Sequence, residues 1–409
     1  MKHMKKFFIL FATICCWHIT NADACTSLLA GRGATTDGST FITYAADSHT
    51  LYGSLVYIPA THYPENTMLE EWDTGKPLGL IPQVESTYAV MGNMNEYQLS
   101  ITESTWGGRP ELVDTTGIID YGSLMFITLQ RAKTAREAIK VMTDLVKKHG
   151  YYSSGESFSI ADPNEVWIME MIGKGLHNKG AVWVAVRIPD DCISAHANQA
   201  RIHTFPLDDK DNCIYSPDVI SFAREKGYFN GLNKDFSFAN AYAPADFGAL
   251  RGCEARVWSF FRKFNNTMDD YLSYINGESK TPIPLYVKPN RKLSVQDMKD
   301  AMRDHFENTP FDMTQDVGAG PFKAPYRFRP MTFTVDSVEY TQERAIATQQ
   351  TGFTLVAQMR NWLPDAVGGV LWFGVDDTNT CVYIPIYCSA TEVPECFNPK
   401  NGSLYKLSW

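Results

Sequence analysis

Outside its first 24 residues, the 409-residue chain has no stretch of eighteen uninterrupted apolar residues, so no membrane span is expected there. No run of basic residues is long enough to track a phosphate backbone, and the net charge is −9. Nucleic acid is therefore set aside as a partner. No C-x-x-C spacing occurs, which leaves a structural zinc site without support. Internal repeats and low-complexity segments are lacking too. Gly31, Gly33 and Gly38 do not form G-x-G-x-x-G and read as hairpin turns. No histidine stands in an obvious pairing with a cysteine. His196 and His203, seven positions apart, lack a helical ligand spacing and read as satisfied structural residues. The sequon at Asn265 is of a kind common by chance.

What the chain does have begins at its N-terminus. Lys2, Lys5 and Lys6 precede an apolar stretch over 7–17, too short to span a bilayer as a helix, and Ala22-Asp23-Ala24 follows. That is the layout of a cleaved secretion signal, with export to the periplasm or the medium expected and residues 25–409 left as the mature chain. A lipoprotein signal is the rival, because it too ends on a cysteine; Ala22 and Asp23 fit it poorly. Loss of residues 1–24 takes away three lysines and one aspartate and makes the chain more acidic. The composition, 44% hydrophobic and 20% charged, can bury a large core, and the length allows one large domain or two average ones. Cys15 and Cys16 would leave with the signal. Of the six cysteines beyond Cys25, proximity makes Cys388 and Cys396 the pair expected to bridge.

Apolar runs rich in β-branched and aromatic residues dominate, among them 26–30, 40–45, 54–58, 88–91, 99–102, 165–171, 181–188 and 369–373. Turn formers such as Thr36-Asp37-Gly38 and Asp162-Pro163-Asn164 separate many of them, which predicts antiparallel strands. A helical period over 124–146 predicts one long helix, with Lys147, Lys148 and His149 at its negative end and Gly150 as its stop. Ser294 and Asp297 predict a capped helix after them. Another helix is expected between 353 and 362, ended by Pro364. The stretches 282–289 and 318–330 are dense in Pro and Gly and read as surface connections or a lid.

A cut after Ala24 would put a thiol and a free α-amine on one residue, Cys25. A thiol nucleophile needs a base. An α-amine, with a pKa of about 7.7–8.0, can take the thiol proton and later return it to a leaving amine. Before the cut that nitrogen is an amide and cannot act as a base, so export and activation would be one event. The other reading is that cleavage falls elsewhere and Cys25 is a small buried apolar residue.

Four segments carry a likeness to known proteins: "CTSLLAGRGATTDGSTF" from Cys25, "MGNMNEYQLSITEST" over 91–105, "WVAVRIPDDCISAHANQARI" over 183–202 and "GGVLWFGVDDTNTCVYIPIY" near the end. In these the chain resembles the C69 dipeptidases, N-terminal-nucleophile hydrolases related to the penicillin V acylase and choloylglycine hydrolase group. The resemblance implies one catalytic domain over 25–409 with an α+β fold, two antiparallel sheets between helix layers in αββα order. It also implies hydrolysis of dipeptides with broad side-chain tolerance and without metal; no cofactor is expected, and a homo-oligomer stays open as an assembly. Cys25 matches the nucleophile. Asp47 matches an acid beside the nucleophile's amine, Asn198 an oxyanion donor, and Arg256 a late active-site arginine. Glu103, Ser104 and Thr105 fall where the wider group supplies a further oxyanion donor. Glu103 could instead bind the free amine of a dipeptide. One departure stands out: family members often read Arg-Asn-Glu-Asp-Ser where this chain has Tyr44-Ala45-Ala46-Asp47-Ser48, so substrate preference could differ.

Two other functions stay open at this point. One keeps the fold and cleaves another linear amide, such as an N-acyl amino acid, a conjugated bile acid or penicillin V. The second is a lipid-anchored binding protein acylated at Cys25.

Overall fold

The computed structural model of the chain describes residues 25–48, 53–73, 76–327, 332–341 and 343–398. The expected signal over 1–24 and the end of the 318–330 stretch lie outside them. Two antiparallel sheets make the frame. The first has seven strands, in the order Tyr286–Val287, Ile193–His196, Ser27–Ala30, Thr40–Asp47, Thr351–Met359, Val370–Val375 and Ile384–Tyr387. The second has eight and centres on Ser100–Trp106, Gly155–Ala161, Val166–Gly173 and Ala181–Ile188.

Strand alternation sorts the apolar side chains into three cores. Leu29, Ile42, Leu355 and Phe373 of the first sheet meet Ile168, Val182 and Val184 of the second in a shared middle layer. The opposite face of the first sheet, with Leu28, Phe41 and Val356, packs on the helices Ala255–Phe264 and Val295–Met302. The opposite face of the second, with Ile101, Phe158 and Trp167, packs on Tyr121–Leu129 and Ala135–His149. The result is an α+β sandwich. Each fully buried Leu, Ile or Phe contributes roughly 1.5–3 kcal/mol of apolar burial, which commits both faces of both sheets.

Three expectations about secondary structure change here. The stretch 353–362 is not a helix: Thr351–Met359 is a strand paired on one side with Thr40–Asp47 and on the other with Val370–Val375. A strand covered on both faces is apolar on both, so its sequence loses the two-residue alternation that would separate it from a helix. The expected long helix is two, Tyr121–Leu129 and Ala135–His149. Asn95 Nδ2 donates to the carbonyls of Leu129 and Ala132 (2.8 and 2.7 Å), and Thr134 Oγ1 accepts from Glu137 N at the next start. The second helix stops at Gly150 (φ 82°), as its sequence indicates. Finally, 282–289 is not only a surface connection. Tyr286–Val287 closes the edge of the first sheet, and Ile283 is buried.

The seven cysteines among the described residues are all free thiols. Cys388 is buried and donates to Asp365 O (3.1 Å) while Cys396 is exposed, so the expected bridge is not formed. The capping box at Ser294 and Asp297 is present in both directions. No helix among the described residues is long and apolar enough to cross a membrane.

Candidate active site

Cys25 stands just ahead of the Ser27–Ala30 strand. That strand runs between Ile193–His196 and Thr40–Asp47 in the first sheet, which fixes the thiol's position. Gly31 then lets the chain pass close to the 189–191 turn: a Cβ there would lie 2.6 Å from Asp190 O. Arg256 anchors Cys25 from the other side. Its Nη1 donates to Cys25 O (2.8 Å) and Thr26 Oγ1 (2.7 Å), its Nη2 to Asn198 Oδ1 (2.9 Å) and Ala197 O (3.2 Å), and its Nε to Gly252 O (2.7 Å). Gly252 belongs to a π-helical turn, Leu250–Glu254, that leads into the helix carrying Arg256. Such turns recur at functional sites because they re-aim one side chain. Burial, and then the neighbouring Arg344, brings Arg256 down to about 10, so it stays charged near neutral pH.

A guanidinium only donates. Its bond to Asn198 Oδ1 therefore settles the orientation of that amide, and Nδ2 faces Thr105 O at 2.6 Å. Asn198 holds a left-handed backbone (φ 57°), a conformation that asparagine tolerates better than most residues. Ser104 supports it. Ser104 Oγ accepts from Asn198 N (3.3 Å) and bonds His196 Nδ1 (2.6 Å), while His196 Nε2 meets Ser159 Oγ (2.7 Å). Burial, and then Arg201, pushes His196 down to about 3, so it is neutral here and structural, as its spacing indicates. His203 is likewise bonded, to Ser237 Oγ (3.1 Å).

Arg201, also from the Asn198 segment, is one of the largest fully buried side chains. It pairs with Glu254 (3.0 Å) and donates to the carbonyls of Ala195, Ile283, Pro284 and Leu285. Glu170 accepts from the Arg201 and Ile202 amides, and burial raises it to about 7. The segment is thus tied to both sheets and to the π-helical turn.

On the thiol's other side lies a group of acids. Cys25 Sγ is 3.6 Å from Glu103 Oε1 and 3.7 Å from Tyr44 Oη, and the phenol donates to the same Glu103 oxygen in a short bond. Thr105 Oγ1 lies 2.6 Å from Glu156 Oε1 and 3.5 Å from Glu103 Oε2. Burial raises the Cys25 thiol well above its ordinary value, and the charges of Glu103 and Asp47 add to this. Tyr44 is raised by burial as well and keeps its proton. Both carboxyls are raised, again chiefly by burial, Glu156 the more strongly.

The structure therefore brings Cys25, Glu103, Thr105, Asn198 and Arg256 together. Ser104 comes in as a support beneath Asn198, with its hydroxyl turned to His196. Asp47 lies near the thiol, but its carboxylate is engaged elsewhere. Oδ1 accepts from Thr351 Oγ1 (2.5 Å), and Oδ2 pairs with Arg344 in a short contact. Burial still holds Asp47 above the usual carboxylate range. Sequence reasoning missed Glu156 and Arg344. Glu156 is legible only through strand register, because it sits opposite Thr105 across two paired strands. Arg344, far along the chain in "QERAIAT", carries no local signal.

The site is thus a buried thiol at a strand head, clamped by an arginine and flanked by an oriented amide. Comparison with known proteins gives the class of the chain. The family model "Peptidase family C69" matches residues 24–406, and the chain belongs to that peptidase family. A "Probable dipeptidase" of Latilactobacillus sakei is 27% identical, the match covering 94% of this chain and 79% of the relative. A "Probable dipeptidase" of Salmonella dublin is 26% identical over 94% and 85%, and "Dipeptidase A" of Lactobacillus helveticus 25% over 94% and 80%.

Proposed function

We propose that the protein is an exported cysteine-type dipeptidase with an N-terminal-nucleophile αββα fold, a single catalytic domain over 25–409 released by loss of residues 1–24. The observation that carries this reading is Arg256, which holds the Cys25 carbonyl and the Asn198 amide in one grip. A thiol raised by burial stays S–H, so attack needs a base at the same place. The α-amine of a mature Cys25 supplies one. It takes the thiol proton as Sγ bonds to the scissile carbonyl carbon. Asn198 Nδ2 donates to the alkoxide that develops. Collapse breaks the C–N bond, the leaving amine takes the proton back from the ammonium, and a thioester remains. Water, deprotonated by the same amine, then releases the acyl residue and restores the thiol. Asp47, held by Arg344 and Thr351, supports the amine's charged form from nearby.

The test is hydrolysis by the mature protein and its Cys25→Ala variant of a panel of dipeptides set against acyl-glycines and penicillin V. The reading expects dipeptide cleavage by the former alone. Cleavage confined to the acyl compounds would make the protein an acylase, and cleavage surviving in Cys25→Ala would remove the nucleophile.

A further inference from the structure

The acids around Cys25 pose a question of charge. Tyr44, Glu103 and Glu156 are all buried, and besides one another the ionisable groups acting most strongly on the two carboxyls and the phenol are acids: Cys25, Asp120 and Tyr121. Buried charge is normally paired. Glu156, like Glu103, is fully enclosed. Its Oε1 accepts from Thr105, its Oε2 meets no hydrogen-bond partner among the described residues, and the carboxyl as a whole lies within hydrogen-bonding reach of Glu103. A proton on Oε2 satisfies both carboxyls and leaves a single negative charge, centred on Glu103. That charge sits 3.6 Å from the nucleophilic sulfur.

The distance selects the cation. In an amino acid the amine nitrogen lies about 2.5 Å from the carbonyl carbon, as the N–Cα and Cα–C bonds and the angle between them require. A carboxylate this close to the sulfur that attacks the carbonyl therefore lies within reach of the α-ammonium of the same residue. It is too close to serve a longer side chain or an amine one residue further off. We propose that Glu103 and a protonated Glu156, with hydroxyls from Tyr44 and Thr105, form the receptor for the substrate's α-ammonium and restrict the acyl side to one unblocked residue. The inference rests on the dipeptidase reading and gives it a cause. An N-acyl substrate would offer the carboxylate a neutral amide N–H in place of the ammonium and leave its charge unpaired, and a buried unpaired charge is strongly unfavourable.

The test is made on the mature Cys25→Ala protein, where binding is read without turnover. Three probes are titrated by calorimetry: Ala-Phe, propionyl-Phe, which is the same molecule lacking the amine, and acetyl-Ala-Phe. Ala-Phe is expected to bind more tightly than propionyl-Phe by roughly 10- to 100-fold, the range of one hydrogen bond to a charged group. Glu103→Gln should erase that ratio while propionyl-Phe binding persists, which shows the site still folded. Glu156→Gln keeps a donor facing Glu103 and should preserve the ratio, whereas Glu156→Leu should lower it. A ratio near one, a ratio that survives Glu103→Gln, or failure of all three probes to bind overturns the receptor. If the ratio holds but the wild-type mature protein cleaves no dipeptide, the receptor stands and the hydrolase reading falls.

Discussion

Replacing Arg256 by lysine asks whether one side chain joins the structure to the chemistry. The guanidinium serves five acceptors, on Gly252, Cys25, Thr26, Ala197 and Asn198, from three nitrogens. A lysine ammonium has three donors on one atom and cannot reach both sides of that set. At least two buried acceptors would lose their partner. At roughly 1.5–3 kcal/mol for each bond to a charged group, the loss of stability is about 3–6 kcal/mol. For a domain of this size that lowers the melting temperature by on the order of 4–7 °C, within reach of scanning calorimetry. The change in rate should be separable. Asn198 loses the partner that orients its amide, and removing one oxyanion donor costs about 10²–10³ in kcat. Arg256 is given no contact with substrate in this account, so KM for a dipeptide should move little. The assay is initial-rate hydrolysis below the variant's melting range. A kcat within about threefold of wild type, with the melting temperature lowered as expected, would refute the reasoning and make Arg256 structural only.

The buried imidazole gives a dependence on pH. His196 sits near 3 in the folded protein and near its ordinary value of about 6.5 when unfolded. As pH falls from about 6.5 towards 3, the unfolded chain takes up the proton and the folded one does not. Stability from this group is full above that window and lost within it, by roughly 4–5 kcal/mol at the acid end. Urea unfolding across pH 4–7 should show a smaller loss in His196→Asn than in wild type; equal slopes would contradict the assignment. Thiols respond differently. With all seven described cysteines free, dithiothreitol should leave the melting temperature unchanged, and a drop on reduction would reveal a bridge.

How far the sequence could be read depended on the range of each interaction. Cys25 was legible as a candidate because the chemistry proposed for it needs only one residue and the cut expected before it. The capped helix at Ser294 and the stop at Gly150 are local signals, and both are where their residues put them. The strand Thr351–Met359 was not legible, since a strand buried on both faces and a buried helix leave the same apolar run. Asn95 explains the split helix, yet its partners Leu129 and Ala132 lie more than thirty residues on. Glu156 and Arg344 lay beyond reach for the same reason: one depends on register, the other on a contact that spans most of the chain.

The central claim is that Cys25 becomes both nucleophile and base when residues 1–24 are removed. Mass measurement of the N-terminal peptide, from protein purified out of its native envelope or medium, tests it most directly. The account predicts a peptide that begins at Cys25 with an unmodified α-amine. A peptide beginning elsewhere, or a Cys25 carrying an acyl group on its amine, would contradict it.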